Sequence, residues 1–153
     1  MADYLLDTNI IIIYARSSAI THKMEEDLRL LTGEHNLVIS AVSVGEVKSL
    51  ARRNKWGDNK IKHLESLLKK FLVADINAED VFEQYAVIET FSQGLSDNPK
   101  LKGTARNMGK NDLWIAATGS VLKLVLITTD DDFDHLDKQF LEVKKVNLDD
   151  YKN

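Results

Sequence analysis

Apolar residues along this chain fall into short continuous runs, separated by longer stretches in which they recur every three or four positions. The continuous runs are rich in Leu, Ile, Val and Phe and predict β-strands, because such residues suit a buried extended chain. Five runs have this pattern: residues 4–6, 37–40, 71–76, 124–128 and 141–146.

The stretches between these runs have the period of an amphipathic helix, with residues that favour helix ends near their limits. Six helices are predicted: residues 8–16, 21–32, 43–51, 61–68, 78–93 and 112–121. Thr21, Asn77 and Asn111 are expected N-caps, and Ser43 with Glu46 fits a capping box. Residues 95–110 hold the only proline and no clear period, so we expect a loop there.

The alternation of strands with helices predicts an α/β fold with a mostly parallel central sheet and helices on both faces. Right-handed crossovers bring the carboxyl ends of parallel strands to one rim of such a sheet. Functional sites of open α/β sheets lie beyond that rim, where the strand order reverses. We therefore look for functional residues at strand ends and at the helix starts that follow them.

Composition narrows the class of protein. The chain has 153 residues, 44% of them hydrophobic, which suits a single domain over residues 1–153. Cysteine is absent, which excludes disulfides and thiolate metal sites and suits a cytoplasmic protein. No apolar run is long enough to cross a bilayer, so we expect no membrane association.

The net charge of −4 is unevenly distributed. Residues 48–70 hold eight Lys or Arg and two Asp or Glu, and the rest of the chain holds 12 basic and 22 acidic residues. A basic segment on an acidic body indicates a polyanionic partner, although a solvated helical hairpin has the same composition. The candidate nucleic-acid-binding residues are Lys48, Arg52, Arg53, Lys55, Arg106 and Lys110.

Four acids share the predicted rim. Asp7 and Asp130 end strands, and Glu46 and Asp112 lie in the first turns of helices that follow the sheet. Each has a structural explanation of its own: a helix cap, a favourable helix dipole, a capping box or a solvated turn. Coincidence explains one or two such placements and explains four at one rim poorly.

Four converging carboxylates repel one another unless cations neutralise them. Two divalent ions would do so, and oxygen ligands without cysteine or spaced histidines favour Mg²⁺ or Mn²⁺. A pair of such ions can activate water and stabilise the leaving oxygen of a phosphodiester. Asn9 and Thr128 stand two positions from Asp7 and Asp130, where they can orient a carboxylate or a phosphate.

Four motifs in fixed order resemble the PIN domain family, in particular its VapC-type toxin ribonucleases. They read Leu-Asp-Thr-Asn at residues 6–9, Ser-Ala-Val-Ser-Val-Gly-Glu at 40–46, Asn-Asp-Leu-Trp-Ile-Ala-Ala-Thr at 111–118 and Leu-Ile-Thr-Thr-Asp-Asp-Asp-Phe at 126–133. The resemblance covers residues 4 to about 147. Two features depart from it: the long 95–110 loop and the bulky Trp114.

The resemblance implies a three-layer α/β/α sandwich and a Mg²⁺- or Mn²⁺-dependent ribonuclease, often a homodimer, with a cognate antitoxin in the toxin branch. Carried over by position, Asp7, Glu46, Asp112 and Asp130 are the catalytic and metal-binding acids. Asn9, Thr128 and Asp132 assist them, and Phe133 is expected in the core.

Two functional hypotheses follow. The first is a divalent-metal-dependent endoribonuclease that hydrolyses RNA phosphodiesters as the toxin of a toxin–antitoxin pair. The alternative is a PIN-like RNA-binding or assembly module without turnover. Such a module has no need of all four acids, so their presence favours catalysis.

Overall fold

A computed structural model describes residues 2–152. The strands are β1 Ala2–Leu6, β2 His35–Ser40, β3 Leu72–Ala74, β4 Val125–Thr128 and β5 Glu142–Lys145. The α-helices are α1 Thr8–Arg16, α2 Ala19–Leu28, α3 Ala41–Arg53, α4 Asp58–Leu68, α5 Glu79–Ser92 and α6 Lys110–Leu122. Two 3-10 helices follow β4 and β5, at Asp131–Leu136 and Leu148–Tyr151.

The strands form one sheet in the order β3-β2-β1-β4-β5, and every neighbouring pair is parallel. Leu5 of β1 lies opposite Val38 on one side and Leu126 on the other. The chain runs outward from β1 to β3, then returns to β4 on the opposite side of β1. The order therefore reverses between β1 and β4, and the predicted α/β class is confirmed.

Two hydrophobic cores cover the two faces of the sheet, because successive residues of a strand point to opposite faces. Leu6 and Ile127 pack with α1 to α4. Their neighbours Leu5 and Leu126 pack with α5 and α6. Phe133, in the 3-10 helix after β4, is fully buried in the second core, as predicted. The sheet thus lies between two helical layers.

Helix α6 packs closely against the second face. A Cβ atom on Gly119 would lie 2.9 Å from Leu141 Cδ1 and 3.2 Å from Leu5 Cδ2. The absence of a side chain at Gly119 allows this approach. The close packing fixes α6 against the sheet and so fixes the position of its first turn at the rim.

The predicted start of α2 at Thr21 is wrong. The helix begins at Ala19 after the N-cap Ser18, and the Thr21 hydroxyl accepts the Ser18 N–H at 3.1 Å. This hydroxyl also donates to the Ile13 carbonyl at 2.6 Å, so Thr21 joins α2 to α1. The helix ends before Arg29, whose φ of 50° is left-handed, rather than near Gly33.

The predicted capping box at residues 43–46 is also wrong. Helix α3 starts directly after β2, with Ser40 as its N-cap accepting the Val42 N–H at 3.2 Å. Glu46 therefore lies in the second turn of α3. Helices α5 and α6 have Ala78 and Gly109 at their N-caps, so Asn77 and Asn111 are not caps.

No helix within residues 2–152 is long and apolar enough to cross a membrane. Residues 93–109 form neither helix nor strand, which confirms the predicted loop.

Candidate active site

Asp7 stands where β1 ends and α1 begins, and it is only 4% exposed. Its N–H donates to the Ile127 carbonyl of β4 at 3.0 Å. Its Oδ1 accepts the Thr8 N–H at 2.7 Å, and its Oδ2 accepts the Thr128 hydroxyl at 2.6 Å. The carboxylate is therefore held by the end of its own strand, the start of its helix and the neighbouring strand.

Thr128 also organises the acids that follow β4. Its hydroxyl oxygen accepts the Asp130 N–H at 3.0 Å while its proton goes to Asp7. Asp130 in turn accepts the Asp132 N–H at 3.0 Å and caps the 3-10 helix. One buried hydroxyl thus binds both the carboxylate that follows β1 and the backbone that follows β4.

Three carboxylates form a compact group at this position. Oxygen atoms of Asp112, Asp130 and Asp132 all lie within 4.8 Å of one another. Asp112 comes from the first turn of α6 and is half-buried. The group brings together two of the four predicted acids, with Asp132 as the third member.

Glu46 is held beside this group by hydroxyls. The Thr8 hydroxyl lies 2.7 Å from Glu46 Oε1 and 2.8 Å from the Ser43 hydroxyl. A carboxylate only accepts hydrogen bonds, so the single Thr8 proton goes to Glu46 and Ser43 donates to Thr8. Ser43 is fully buried, and the chain of hydroxyls joins the start of α1 to Glu46.

Burial and the proximity of the acids to one another change their pKa values. Burial, and after it the charges of Asp7, Asp130, Asp132 and Glu46, together raise the pKa of Asp112 to about 7. Burial also raises the pKa of Asp7 to about 6, against the hydrogen bonds from Thr128 and Thr8 that lower it. Each of the four predicted acids therefore acts electrostatically on another.

Asn9 lies in the first turn of α1. Its side-chain oxygen is buried and has no hydrogen-bond partner within residues 2–152. Such an atom costs free energy unless something outside these contacts satisfies it. The predicted assisting role of Asn9 stays a prediction.

The predicted basic residues divide between two cavities. Arg53 lines one with Glu46, Ser49 and Asn111. The other lies between α3 and α4 and is lined by Lys48, Arg52 and Lys55, together with Trp56 and apolar residues of α4. The predicted RNA-binding residues of α3 and its end therefore do not form one face, because Arg53 lines a different cavity from Lys48, Arg52 and Lys55.

Arg106 lies on the loop beside the acids, where its Nη1 donates to the Asp131 carbonyl at 3.0 Å. Its charge opposes the burial that raises the pKa of Asp132. Lys110 is exposed at the first residue of α6.

The sequence analysis missed the part that two hydroxyl residues play in the site: Thr8 was given no role, and Ser43 was assigned only to a capping box. Thr8 stands within the first motif and Ser43 within the second, yet their contact spans 35 residues. A signal was available for Ser43, because it precedes Glu46 by three positions and so shares its side of α3. No local pattern indicates that Thr8 meets Glu46.

Comparisons with known proteins agree with this geometry. VapBC-1 from nontypeable Haemophilus influenzae is 26% identical, with a TM-score of 0.67 over 94% of this chain and 97% of that one. VapBC2 from Rickettsia felis, bound to a DNA fragment from its promoter, is 20% identical, with a TM-score of 0.67 over 94% and 98%. A comparison with curated protein sequences finds no match.

A third similar structure is VapBC-5 from Mycobacterium tuberculosis, a member of the VapBC family of toxin–antitoxin systems. It is 21% identical, with a TM-score of 0.62 over 95% of this chain and all of that one. The family model described as PIN domain matches residues 4–139, which include all the acids described above. The chain therefore belongs to the PIN domain family.

Proposed function

We propose that this protein is a divalent-metal-dependent endoribonuclease. The observation that carries the proposal is the convergence of acids from four parts of the chain at the point where the strand order reverses. Functional sites of parallel sheets lie at such a point. Membership of the PIN domain family supports a nuclease at this site.

The charges of the chain itself leave the acids unneutralised. Lys145 forms ion pairs with Asp131 and Asp134, at 2.6 and 2.8 Å, outside the group of converging acids. Within residues 2–152, no ion pair involves Asp7, Glu46 or the three grouped carboxylates. Converging carboxylates, one of them buried and none of them in an ion pair with a cation, require protons or metal ions to offset their repulsion.

The donor set fits Mg²⁺ or Mn²⁺, which prefer carboxylate oxygens, and two ions would balance the predicted quartet. Asp7, Glu46, Asp112 and Asp130 would hold the ions, with Asp132 joining Asp112 and Asp130. Bound ions would supply Lewis acidity for the attacking water and for the leaving oxygen. In the net reaction, the water oxygen bonds to phosphorus, the phosphorus–ester oxygen bond breaks, and the water proton passes through solvent to the leaving oxygen.

The residues around the acids have positioning roles in this proposal. Thr128 holds the Asp7 carboxylate, and Thr8 holds Glu46. Both acids thereby keep one orientation before any ion arrives, which lowers the cost of assembling the site. Asn9 offers a buried amide oxygen beside them in sequence.

The toxin role rests on the structural neighbours. Several are complexes described as VapBC or toxin–antitoxin assemblies, and their folds match nearly the whole of this chain. We propose by this likeness that the chain acts in the cytoplasm as a homodimeric toxin neutralised by a cognate antitoxin protein.

Asp7→Asn is expected to lower RNA cleavage in Mg²⁺ or Mn²⁺ by about 10²-fold or more, the scale for removing one electrostatic group from an active site. EDTA should abolish cleavage by the wild type. Asp58→Asn makes the same chemical change on an exposed first turn of α4 and should leave the rate unchanged. Gel analysis of a labelled RNA measures all three, and cleavage that survives EDTA and Asp7→Asn contradicts the proposal.

Asp112→Asn is expected to stabilise the metal-free protein at high pH. Asp7 and Asp112 have raised pKa values in the folded protein, so protonation of these two acids stabilises the fold. This stabilisation is complete below about pH 4 and is lost as the pH rises through 6 to 7. In EDTA at pH 8 the variant should melt about 2–4 °C above the wild type, roughly 1 kcal/mol after allowance for solvent screening. At pH 5 the difference should shrink.

In millimolar Mn²⁺ the wild type should melt at a higher temperature than Asp112→Asn, because a folded site that binds the ion gains stability by mass action. Melting curves of both proteins at the two pH values, with and without Mn²⁺, measure the effect. Two results together would favour the module without turnover. The difference in melting temperature between Asp112→Asn and the wild type would not depend on pH, and Mn²⁺ would not change the melting temperature of the wild type.

Thr8→Val is expected to weaken Mn²⁺ activation by about 10–100-fold, the range for losing a group that orients a metal ligand. The hydroxyl fixes Glu46, and Val keeps the shape of Thr without it. Thr8→Ser restores the hydroxyl and should recover activity. The Mn²⁺ concentration for half-maximal cleavage is the measurement, and equal values for Thr8→Val and Thr8→Ser would exclude the positioning role.

Expression of the wild type in a bacterial host is expected to slow growth by degrading RNA, and co-expression of the adjacent gene should relieve it. Asp7→Asn expressed at the same level should not slow growth. Growth curves with and without the neighbour test the toxin role, and slow growth that persists in Asp7→Asn contradicts it.

A further inference from the structure

The acids form a row that follows the order of the strands. Glu46 comes from the helix after β2, Asp7 ends β1, and Asp130 follows β4, and these strands are neighbours in the order β2-β1-β4. Adjacent strands lie about 4.8 Å apart, so the row spans about 10 Å across the rim. An arginine lies towards each end of the row: Arg106 on the loop next to the last acids, and Arg53 two helical turns beyond Glu46 on the same side of α3.

Arg53 lies at the β2 end. Glu46, Ser49 and Arg53 share one side of α3, because positions i, i+3 and i+7 of a helix face the same way. They line one open cavity, to which α6 contributes Asn111, the neighbour of Asp112. Arg53 is exposed and forms no ion pair within residues 2–152. A surface therefore leads from this guanidinium to the first acid of the row.

Arg106 lies at the β4 end. One of its nitrogens donates to the Asp131 carbonyl, and a guanidinium has five N–H groups, so four stay available. Its backbone N–H donates to the Ser92 carbonyl at 2.6 Å. The Ser92 hydroxyl lies 2.7 Å from His135 Nε2, which ties α5 to the 3-10 helix that carries Asp132. The loop thus holds Arg106 against the last acids of the row.

The other cations of α3 face away from the row. Lys48 and Arg52 line the cavity between α3 and α4, and none of the acids of the row lines it. Successive helical residues differ by about 100° around the axis, which separates Arg52 from its neighbour Arg53. The two adjacent arginines therefore differ in direction while sharing charge, helix and exposure.

From this arrangement we infer the path of the substrate, an inference that rests on the proposed nuclease function. A single-stranded RNA segment crosses the row of acids, with Arg53 and Arg106 binding phosphates on opposite sides of the phosphate that is cleaved. Lys48, Arg52 and Lys55 lie outside this path. Cations at both ends hold the strand where the unneutralised acids between them would otherwise repel it.

The depth of the acids favours a single strand. Asp7 is 4% exposed and Asp112 is half-buried, whereas Asp132 is exposed, so a phosphate must approach the surface closely to reach the inner acids. A flexible strand can bend to lower one phosphate, whereas the two backbones of a duplex are held at fixed spacing. The arginines bind backbone, so the path itself selects no base sequence.

The test measures binding separately from cleavage. A fluorescent single-stranded oligoribonucleotide is titrated in Mg²⁺ with Asp7→Asn protein, alone or combined with Arg53→Gln, Arg106→Gln or Arg52→Gln, over a range of salt concentrations. Arg53→Gln and Arg106→Gln should each raise Kd about fivefold or more and reduce the salt slope by about 0.7, the value for one phosphate contact on a single strand. Arg52→Gln, the matched control, should change Kd less than twofold.

Rescue and folding controls keep the result interpretable. Arg106→Lys retains the charge and should retain the salt slope, and melting temperatures should stay unchanged because these side chains are exposed. In the chain with native Asp7, Arg53→Gln and Arg106→Gln should raise KM more than they lower kcat. A hairpin duplex should bind with less dependence on the two arginines.

The possible outcomes separate the two proposals. Equal losses in Arg52→Gln and Arg53→Gln overturn the path, because they indicate diffuse attraction to the whole basic segment. Unchanged binding in both Arg53→Gln and Arg106→Gln also overturns it, and equal losses on the hairpin overturn the single-stranded substrate. Failure of the wild type to cleave any RNA with Mg²⁺ or Mn²⁺ overturns the nuclease function, while the binding titration still decides the path.

Discussion

The hydrogen bond from the Thr128 hydroxyl to Asp7, 2.6 Å long and fully buried, is the contact on which the rest of the site depends. It joins the carboxyl ends of β1 and β4 where the strand order reverses, and the same oxygen accepts the Asp130 N–H. Because a buried hydroxyl such as that of Thr128 needs a hydrogen-bond partner, the register of β1 against β4 decides whether it meets Asp7. The sheet therefore determines the positions of Asp7 and Asp130, and helices α3 and α6 place Glu46 and Asp112.

The burial and mutual repulsion of the acids lower the stability of the metal-free fold. Burial and mutual repulsion raise the pKa values of Asp7 and Asp112, so near neutral pH the metal-free fold holds carboxylates that would ionise more readily in water. The two hydrophobic cores, one on each face of the sheet, offset that cost. In the proposed function, cations would bind acids that already lie close together, and their charge would relieve the repulsion among these acids.

The sequence predicted the sheet and the loop, because runs of strand-forming residues alternate with helical periods and residues 95–110 have no clear period. The roles of the four predicted acids stay predictions, although the charges of Asp7, Asp130 and Glu46 act on Asp112. Helix starts were less predictable: Thr21 and Ser43 fit capping patterns, yet Ser18 and Ser40 supply the caps. Several residues that can cap a helix lie within a few positions of one another, so the local pattern does not decide which of them is the cap. At α3 the cap is Ser40, the last residue of β2. The Thr8 contact to Glu46 spans 38 residues and depends on how α1 packs on α3, which no local pattern records.

The helical period, by contrast, already separates Arg53 from Arg52, since only Arg53 stands seven positions from Glu46. The positions of the acids and the arginines also determine what a substitution at either arginine affects. The acids are held by strand ends and by α6, whereas the two arginines lie at the end of α3 and on a loop without regular structure. Substitutions at either arginine leave the hydrogen bonds among Asp7, Thr128 and Asp130 intact, because neither side chain takes part in them. In the proposed function, substitutions in these outer elements can therefore change RNA binding without changing the hydrogen bonds that hold Asp7 and Asp130.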